Sequence, residues 1–130
     1  MGYYHRWEEF PQKGISYLNG LPNTEGVKIR IMSTAKMMMT RVQVTGGGKI
    51  PRHYHEAEQL MIIQKGKARV TTGKSKETHN LGPGDIWVVP SGELHGVEYV
   101  GDCEALEIVS PPRPDNFSEY VMKHTFFEKE

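Results

Sequence analysis

Three histidines and a glutamine in the middle of this chain have the side chains of a metal site. His53 and His55 form an H-x-H pair, Gln59 follows four residues later, and His95 comes just after a Pro-Ser-Gly turn. Side chains at positions i and i+2 of a strand point to the same face about 7 Å apart, so both histidines of the pair can face one ion. Neutral imidazole suits zinc, copper, iron and nickel, and an amide oxygen also tolerates manganese. We therefore expect a divalent transition metal ion (Mn, Ni, Zn or Fe), although an H-x-H pair alone is weak evidence of metal binding.

Short apolar runs, separated by glycine and proline, must position these side chains. The 14 glycines and 8 prolines of the 130-residue chain lie between these runs, as turn residues lie between strands. The predicted strands cover residues 27–32, 38–45, 59–64, 68–72, 77–81, 85–89, 95–100 and 103–109. Lys65-Gly66 is typical of a hairpin turn, and Gly101-Asp102 predicts a further break between strands. Because no long helical period precedes residue 115, we predict an all-β fold, a sandwich or barrel of jelly-roll type.

Composition and charge argue against several classes of protein. The chain has 16 basic and 16 acidic residues, so its charge favours neither nucleic acid nor an anionic membrane as a partner. Its single cysteine, Cys103, excludes an internal disulfide and favours a reducing compartment. We see no signal peptide and no apolar run of membrane-spanning length, and we expect a cytoplasmic protein. The length fits one domain, with an N-terminal arm (1–26), a barrel (27–115) and a C-terminal extension that packs on the barrel (116–130).

Two blocks of the sequence resemble the paired motifs of the cupin superfamily. The first family motif is a glycine, five residues, H-x-H, three or four residues, a glutamate, six residues and a glycine. The chain matches it from Gly47 to Gly66, with Gln59 in place of the glutamate. The second motif is a glycine, five residues, P-x-G, two residues, a histidine, three residues and an asparagine. The chain matches it from Gly84 through His95 to position 99, where a tyrosine replaces the asparagine.

This resemblance implies a double-stranded β-helix barrel, often a homodimer, with one divalent ion in its lumen. The implied ligands are His53, His55, His95 and the residue in the glutamate position, Gln59. Four neutral ligands leave the charge of the ion uncompensated, which favours carboxylate or enolate substrates and Lewis-acid chemistry over a high-valent redox centre. Glu58 is the alternative fourth ligand if the strand is bulged. We favour Gln59, because it preserves both the strand parity and the distance to the closing glycine of the motif.

A third segment, EIVSPPRPD from position 107, resembles the strand end of small cupins that open the ring of unsaturated uronates in pectin and alginate breakdown. Those cupins also use a glutamine as fourth metal ligand, and they carry an acid, an aromatic residue and an arginine around an S-P-x-R sequence. Glu107 stands at the acid and Arg113 at the arginine, whereas Val109 replaces the aromatic residue. The resemblance implies a general acid or base at Glu107 and carboxylate binding by Arg113. The alternative is that both are solvated surface residues.

Three functions are open on these grounds. The first is a metal-dependent enzyme of carbohydrate metabolism, which acts without redox chemistry on a small carboxylate-bearing sugar acid or another enolisable compound by ring opening or keto–enol isomerisation. The second is a cupin dioxygenase, against which Gln59 argues because such sites commonly carry the glutamate. The third is a non-catalytic cupin that binds a small molecule. The expected partners are an anionic small-molecule substrate and a second copy of the chain.

Overall fold

The computed structural model describes residues 2–15, 26–113 and 126–127. A 3-10 turn, Trp7–Glu9, precedes nine strands: β1 (Lys13–Gly14), β2 (Val27–Ser33), β3 (Met38–Val44), β4 (Gly48–Tyr54), β5 (Glu58–Thr72), β6 (His79–Leu81), β7 (Ile86–Val89), β8 (His95–Ser110) and β9 (Phe126–Phe127). The described residues contain no α-helix, so the all-β prediction is confirmed. Among them, no helix is long and apolar enough to cross a bilayer.

Two antiparallel sheets share their two longest strands. One sheet has the order β1-β2-β3-β8-β5-β7, and the other has the order β9-β4-β8-β5-β6. β5 and β8 pair with each other from Glu58 opposite Ser110 to Thr72 opposite His95, and they thereby pass from the first sheet into the second. This arrangement is the predicted jelly-roll barrel.

The predicted hairpin turn at Lys65-Gly66 is wrong, and so is the break at Gly101-Asp102. β5 continues through Gly66 with a register shift on each side of Lys65, and β8 continues through Gly101. Gly66 has a φ of 83°, and a Cβ on it would overlap the carbonyl oxygen of Asp102 and lie 2.9 Å from the Cα of Cys103. Glycine, which lacks a Cβ, tolerates both the positive φ and the close approach of the β8 backbone. The bulges and glycines therefore let the paired strands bend together instead of reversing the chain.

The remaining predicted strands agree with the structure to within a few residues, but the prediction lacks β4 and the two-residue strands β1 and β9. β4 is absent from the predicted strands, because its burial does not alternate clearly and because it contains Pro51. The register between β4 and β8 shifts between Ile50 and His53. The shift leaves His53 directly opposite His95 on β8.

The inward faces of the two sheets form one core. Its largest fully buried side chains include Met38, Met61, Ile63, Val70 and Val89, and His95 is buried among them. Burying each large apolar side chain contributes about 1.5–3 kcal/mol to stability. A fully buried histidine costs free energy unless its nitrogens find partners, which indicates that this position serves another purpose.

The two ends of the chain contact the barrel through backbone pairing. In the N-terminal arm, β1 pairs with β2, and Arg30 donates a hydrogen bond to the carbonyl of Phe10 at 2.6 Å. In the C-terminal extension, β9 pairs with β4 beside His53. Residues 16–25 of the arm, and residues 116–125 and 128–130 of the extension, lie outside the described residues.

Candidate metal centre

Three buried histidines converge at one end of the barrel. His53 and His95 are cross-strand neighbours on β4 and β8, and His55 follows β4 directly. Their ring centroids are 4.2 Å (His53–His95), 4.7 Å (His55–His95) and 5.6 Å (His53–His55) apart. One nitrogen from each ring lies within 4.8 Å of the others. The carbonyl of His55 accepts a hydrogen bond from the Gly92 amide at 2.9 Å, which joins the first sequence motif to the turn of the second.

Backbone carbonyls fix the orientation of all three rings. Nδ1 of His53 lies 2.7 Å from the carbonyl of Pro51, and Nδ1 of His55 and His95 lies 2.9 Å from the carbonyls of Ala57 and Glu93. A carbonyl only accepts, so each Nδ1 carries the hydrogen and each Nε2 presents a lone pair. Nε2 of His55 and Nε2 of His95 are buried and have no hydrogen-bond partner. A metal ion satisfies such orphaned lone pairs, and a carbonyl that accepts from the other ring nitrogen is the usual way in which ligand histidines are oriented.

The electrostatics keep the three rings neutral at physiological pH. Burial lowers the pKa of His55 and that of His95 to about 4, and the Arg113 guanidinium acts in the same direction on both. The pKa of His53 is also lowered well below its usual value, first by burial and then by the neighbouring His95. Neutral imidazoles are the form that binds metal, so the three histidines could hold a metal ion.

The two candidates for the fourth ligand lie on opposite faces of β5. Gln59 is only 3% exposed and points into the barrel, next to the His55 ring. The Gln59 side chain raises the pKa of His55 and so opposes the effect of burial. Glu58 is exposed on the outer surface. β5 shows no register shift before Ile63, so the regular alternation that favours Gln59 holds at this point.

Glu107 lies on the inner face of the barrel, and Arg113 lies close enough to the histidines to act on them. Glu107 lies opposite Thr40 and Met61, two buried residues of the inner face, yet its own side chain keeps part of its surface accessible. Arg113 is 9% exposed, and its positive charge lowers the pKa of all three histidines. Burial raises the pKa of Glu107, and Arg113 counteracts that rise in part. Arg113 is therefore not a solvated surface residue, whereas the catalytic roles of Glu107 and Arg113 stay predictions.

Tyr99 is a buried neighbour of this group that sequence reasoning assigned no role. It is 4% exposed, and burial raises the pKa of its phenol, with the Glu107 charge as a second cause. Together these residues offer neutral metal ligands, one carboxyl group that favours its protonated form, and one fixed cation. Such a set can bind an anionic substrate and transfer a proton.

Comparison with known proteins agrees with this architecture. The chain is 30% identical over 89 residues to the DNA damage-repair/toleration protein DRT102 of Arabidopsis thaliana, an alignment that covers 63% of this chain and 29% of that protein. The chain spans about half the length, or less, of the curated relatives it matches. Its fold is similar to KdgF from Halomonas sp. (TM-score 0.72, 24% identity, 89% of this chain and 99% of that chain). It is also similar to a sugar phosphate isomerase of the cupin superfamily from Silicibacter pomeroyi (TM-score 0.69, 15% identity, 85% and 76%).

A family model fits the part of the chain that carries the site. The model, described as a cupin domain (Cupin_2), matches residues 40–109, which is more than half of the chain and includes all three histidines. With the jelly-roll barrel and the buried histidines already established, the chain belongs to the Cupin_2 family of cupin domains.

Proposed function

We propose that this cupin is a divalent-metal-dependent enzyme that opens or isomerises a small carboxylate-bearing sugar acid, or another enolisable compound, without redox chemistry. The observation that carries the proposal is a buried cation, Arg113, whose charge acts on all three histidines and also on a carboxyl group with a raised pKa, Glu107. A site that only stored or sensed a metal would not require an acid and a cation beside it.

Arg113 gives the site its preference for an anion. A guanidinium binds a carboxylate through two parallel hydrogen bonds, which fixes the orientation of the substrate as well as its charge. Its burial strengthens the interaction, because less water competes for the charge. The carboxylate of the substrate would lie between Arg113 and the histidines.

Glu107 is the proton donor in this proposal. Its raised pKa keeps more of the carboxyl group protonated near neutral pH than a solvated glutamate would be. Ring opening of an unsaturated sugar acid breaks the carbon–oxygen bond of the ring and leaves an enol, whose carbon must then take up a proton. Glu107 supplies that proton, and the proton released from the hemiacetal hydroxyl restores its acid form. No electrons are gained or lost overall.

The histidines and Gln59 are the groups that would hold the metal ion. When bound, a divalent ion acts as a Lewis acid that polarises a substrate oxygen. The neutral donor set, with Gln59 as the proposed fourth ligand, adds no negative charge that would repel an anionic substrate.

The test is turnover of unsaturated uronates by protein loaded in turn with manganese, nickel, zinc or iron. Loss of the ultraviolet absorbance of the conjugated double bond measures the reaction. Glu107→Gln should lower turnover by about 10²–10⁴-fold, the usual contribution of general acid–base catalysis, and should retain its metal. Glu104→Gln is the matched control, because Glu104 lies on the same strand but pairs with Lys65 and Arg41 outside the barrel.

Two outcomes would redirect the assignment. Oxygen consumption on addition of a diketone or flavonol-like substrate would favour the dioxygenase. Metal binding without turnover of any enolisable acid would favour the small-molecule-binding module. Equal turnover by wild type and Glu107→Gln would remove the proposed proton donor.

We also propose a homodimer, in which a second copy covers an apolar patch on the outside of β5, β7 and β8. In this patch Leu60 lies between Val88 and Ile108, and the next row repeats the pattern with Ile62 between Ile86 and Leu106. Ile86 is 62% exposed, Val88 54% and Leu60 38%. Contiguous exposed apolar patches mark interaction sites, and most soluble oligomers are symmetric homo-oligomers, with dimers the commonest.

Light scattering during size-exclusion chromatography tests the dimer. The wild type should elute with twice the chain mass of 14.8 kDa. Ile86→Asp should elute as a monomer, whereas Val100→Asp, at an exposed apolar position on β8 outside the patch, should stay dimeric. A wild type that is monomeric at high concentration would refute the proposal. Like the dimer, the cytoplasmic location stays a prediction.

A further inference from the structure

A tryptophan and a threonine outside the ligand set contact the same histidine. Trp87 lies on the inner face of β7 and is 6% exposed. Its ring centroid is 5.7 Å from that of His95, and the two planes are inclined by 70°, so the indole packs against the imidazole edge to face. Its Nε1 donates a hydrogen bond to Oγ1 of Thr72 at 2.8 Å. Thr72 is the last residue of β5 and lies directly opposite His95 on β8.

The corner that follows Thr72 is joined to two strands that carry ligands. The amide of Gly73 donates to the carbonyl of Leu94, the residue before His95, at 2.7 Å. The carbonyl of Gly73 accepts a hydrogen bond from the Arg52 guanidinium at 2.8 Å, and Arg52 immediately precedes His53. The end of β5 therefore contacts both motifs although it contributes no ligand.

We propose that Thr72 is a positioning residue for His95, and that it acts by holding Trp87 against the imidazole ring. This inference rests on the proposed metal site. Hydrogen bonding to the carbonyl of Glu93 fixes one edge of the His95 ring, and Trp87 packs against the ring with its own plane inclined by 70°. Without the Thr72 hydroxyl, the buried Nε1 of Trp87 has no hydrogen-bond partner. The free-energy cost of this unsatisfied donor favours a rotation of the indole away from His95.

The role of Thr72 differs from that of an ordinary core residue. A threonine that only filled space could be replaced by valine, which has nearly the same shape. A threonine that holds the indole requires its hydroxyl, which serine also has. Groups that orient a metal ligand typically change metal affinity by about 10–100-fold when they are removed.

Titration calorimetry with Ni²⁺ on the full chain tests the proposal. We expect Thr72→Val to bind Ni²⁺ about 10-fold more weakly than the wild type, and Thr72→Ser to recover most of the affinity. The matched control is Thr71→Val, one residue earlier and on the opposite face of β5, which should bind like the wild type. Trp87→Phe, which keeps a ring but lacks the N–H group, should weaken binding as Thr72→Val does, and it provides the test if that variant does not fold.

A second readout needs no metal. Nitrogen-15 NMR of the His95 ring should show one sharp set of signals in the metal-free wild type and broadened or doubled signals in Thr72→Val. If Thr72→Val matches the wild type in both Ni²⁺ affinity and ring signals, the positioning role is refuted. If the wild type binds no metal but the ring signals change as expected, the proposed function fails and the positioning role stands.

Discussion

Lowering the pH should destabilise the metal-free protein through its three buried histidines. In the unfolded chain each imidazole titrates near 6.5, whereas burial lowers the pKa of His55 and that of His95 to about 4 in the folded state. Above pH 6.5 both states are neutral and no penalty exists. As the pH falls below 6.5, the unfolded state takes up protons that the folded state does not, so stability decreases until the folded value is reached.

The size of the effect follows from these values. Between pH 7.5 and pH 5.5, each histidine with a folded pKa of about 4 should cost about 1.4 kcal/mol of unfolding free energy. His53, whose pKa is also lowered, acts in the same direction. The sum of about 3 kcal/mol for His55 and His95 is a large part of the total stability of about 5–15 kcal/mol that is usual for a protein. The raised pKa of Glu107 acts in the opposite direction.

Guanidinium unfolding of chelator-treated protein at pH 7.5, 6.5 and 5.5 measures the effect. His95→Gln should remove about 1.4 kcal/mol of the pH dependence, because it removes one of the buried imidazoles that stay neutral in the folded state. An unfolding free energy that is constant between pH 7.5 and 5.5 would refute the assignment of three neutral, buried imidazoles. Saturating zinc should stabilise the protein most at the upper end of this range, where protons compete least for the ligands.

Two further predictions concern the fourth ligand and the bend. Gln59→Ala should lower the zinc content measured by elemental analysis, and Glu58→Ala should not, because only Gln59 points into the barrel; loss in the second variant alone would reverse the assignment. Gly66→Ala should lower the thermal midpoint far more than Gly84→Ala. Both glycines have positive φ, but a Cβ at Gly66 meets backbone atoms and a Cβ at Gly84 meets nothing within 4 Å. Equal midpoints would show that strain alone, rather than the close approach of β8, requires glycine at Gly66.

The sequence predicted those parts of the fold in which local pattern and burial coincide. β2 and β3 alternate between buried and more exposed residues, and the predicted ranges 27–32 and 38–45 match Val27–Ser33 and Met38–Val44 closely. The path of the chain at Gly66 could not be predicted in this way. A glycine after a lysine suits a hairpin turn and a bulge equally well, and the choice depends on Asp102 and Cys103, which are distant in sequence.

In the candidate site, too, a local sequence pattern predicted some residues and could not predict others. The H-x-H spacing, together with the resemblance to the paired cupin motifs, was enough to propose the histidines and Gln59. Thr72 could not be found in this way, since it matters only through the register that sets it opposite His95 and through the indole that its hydroxyl holds. Ligands leave a sequence signal because the chemistry restricts their type. The residues that orient ligands are restricted only by geometry, and a local sequence pattern does not record their register.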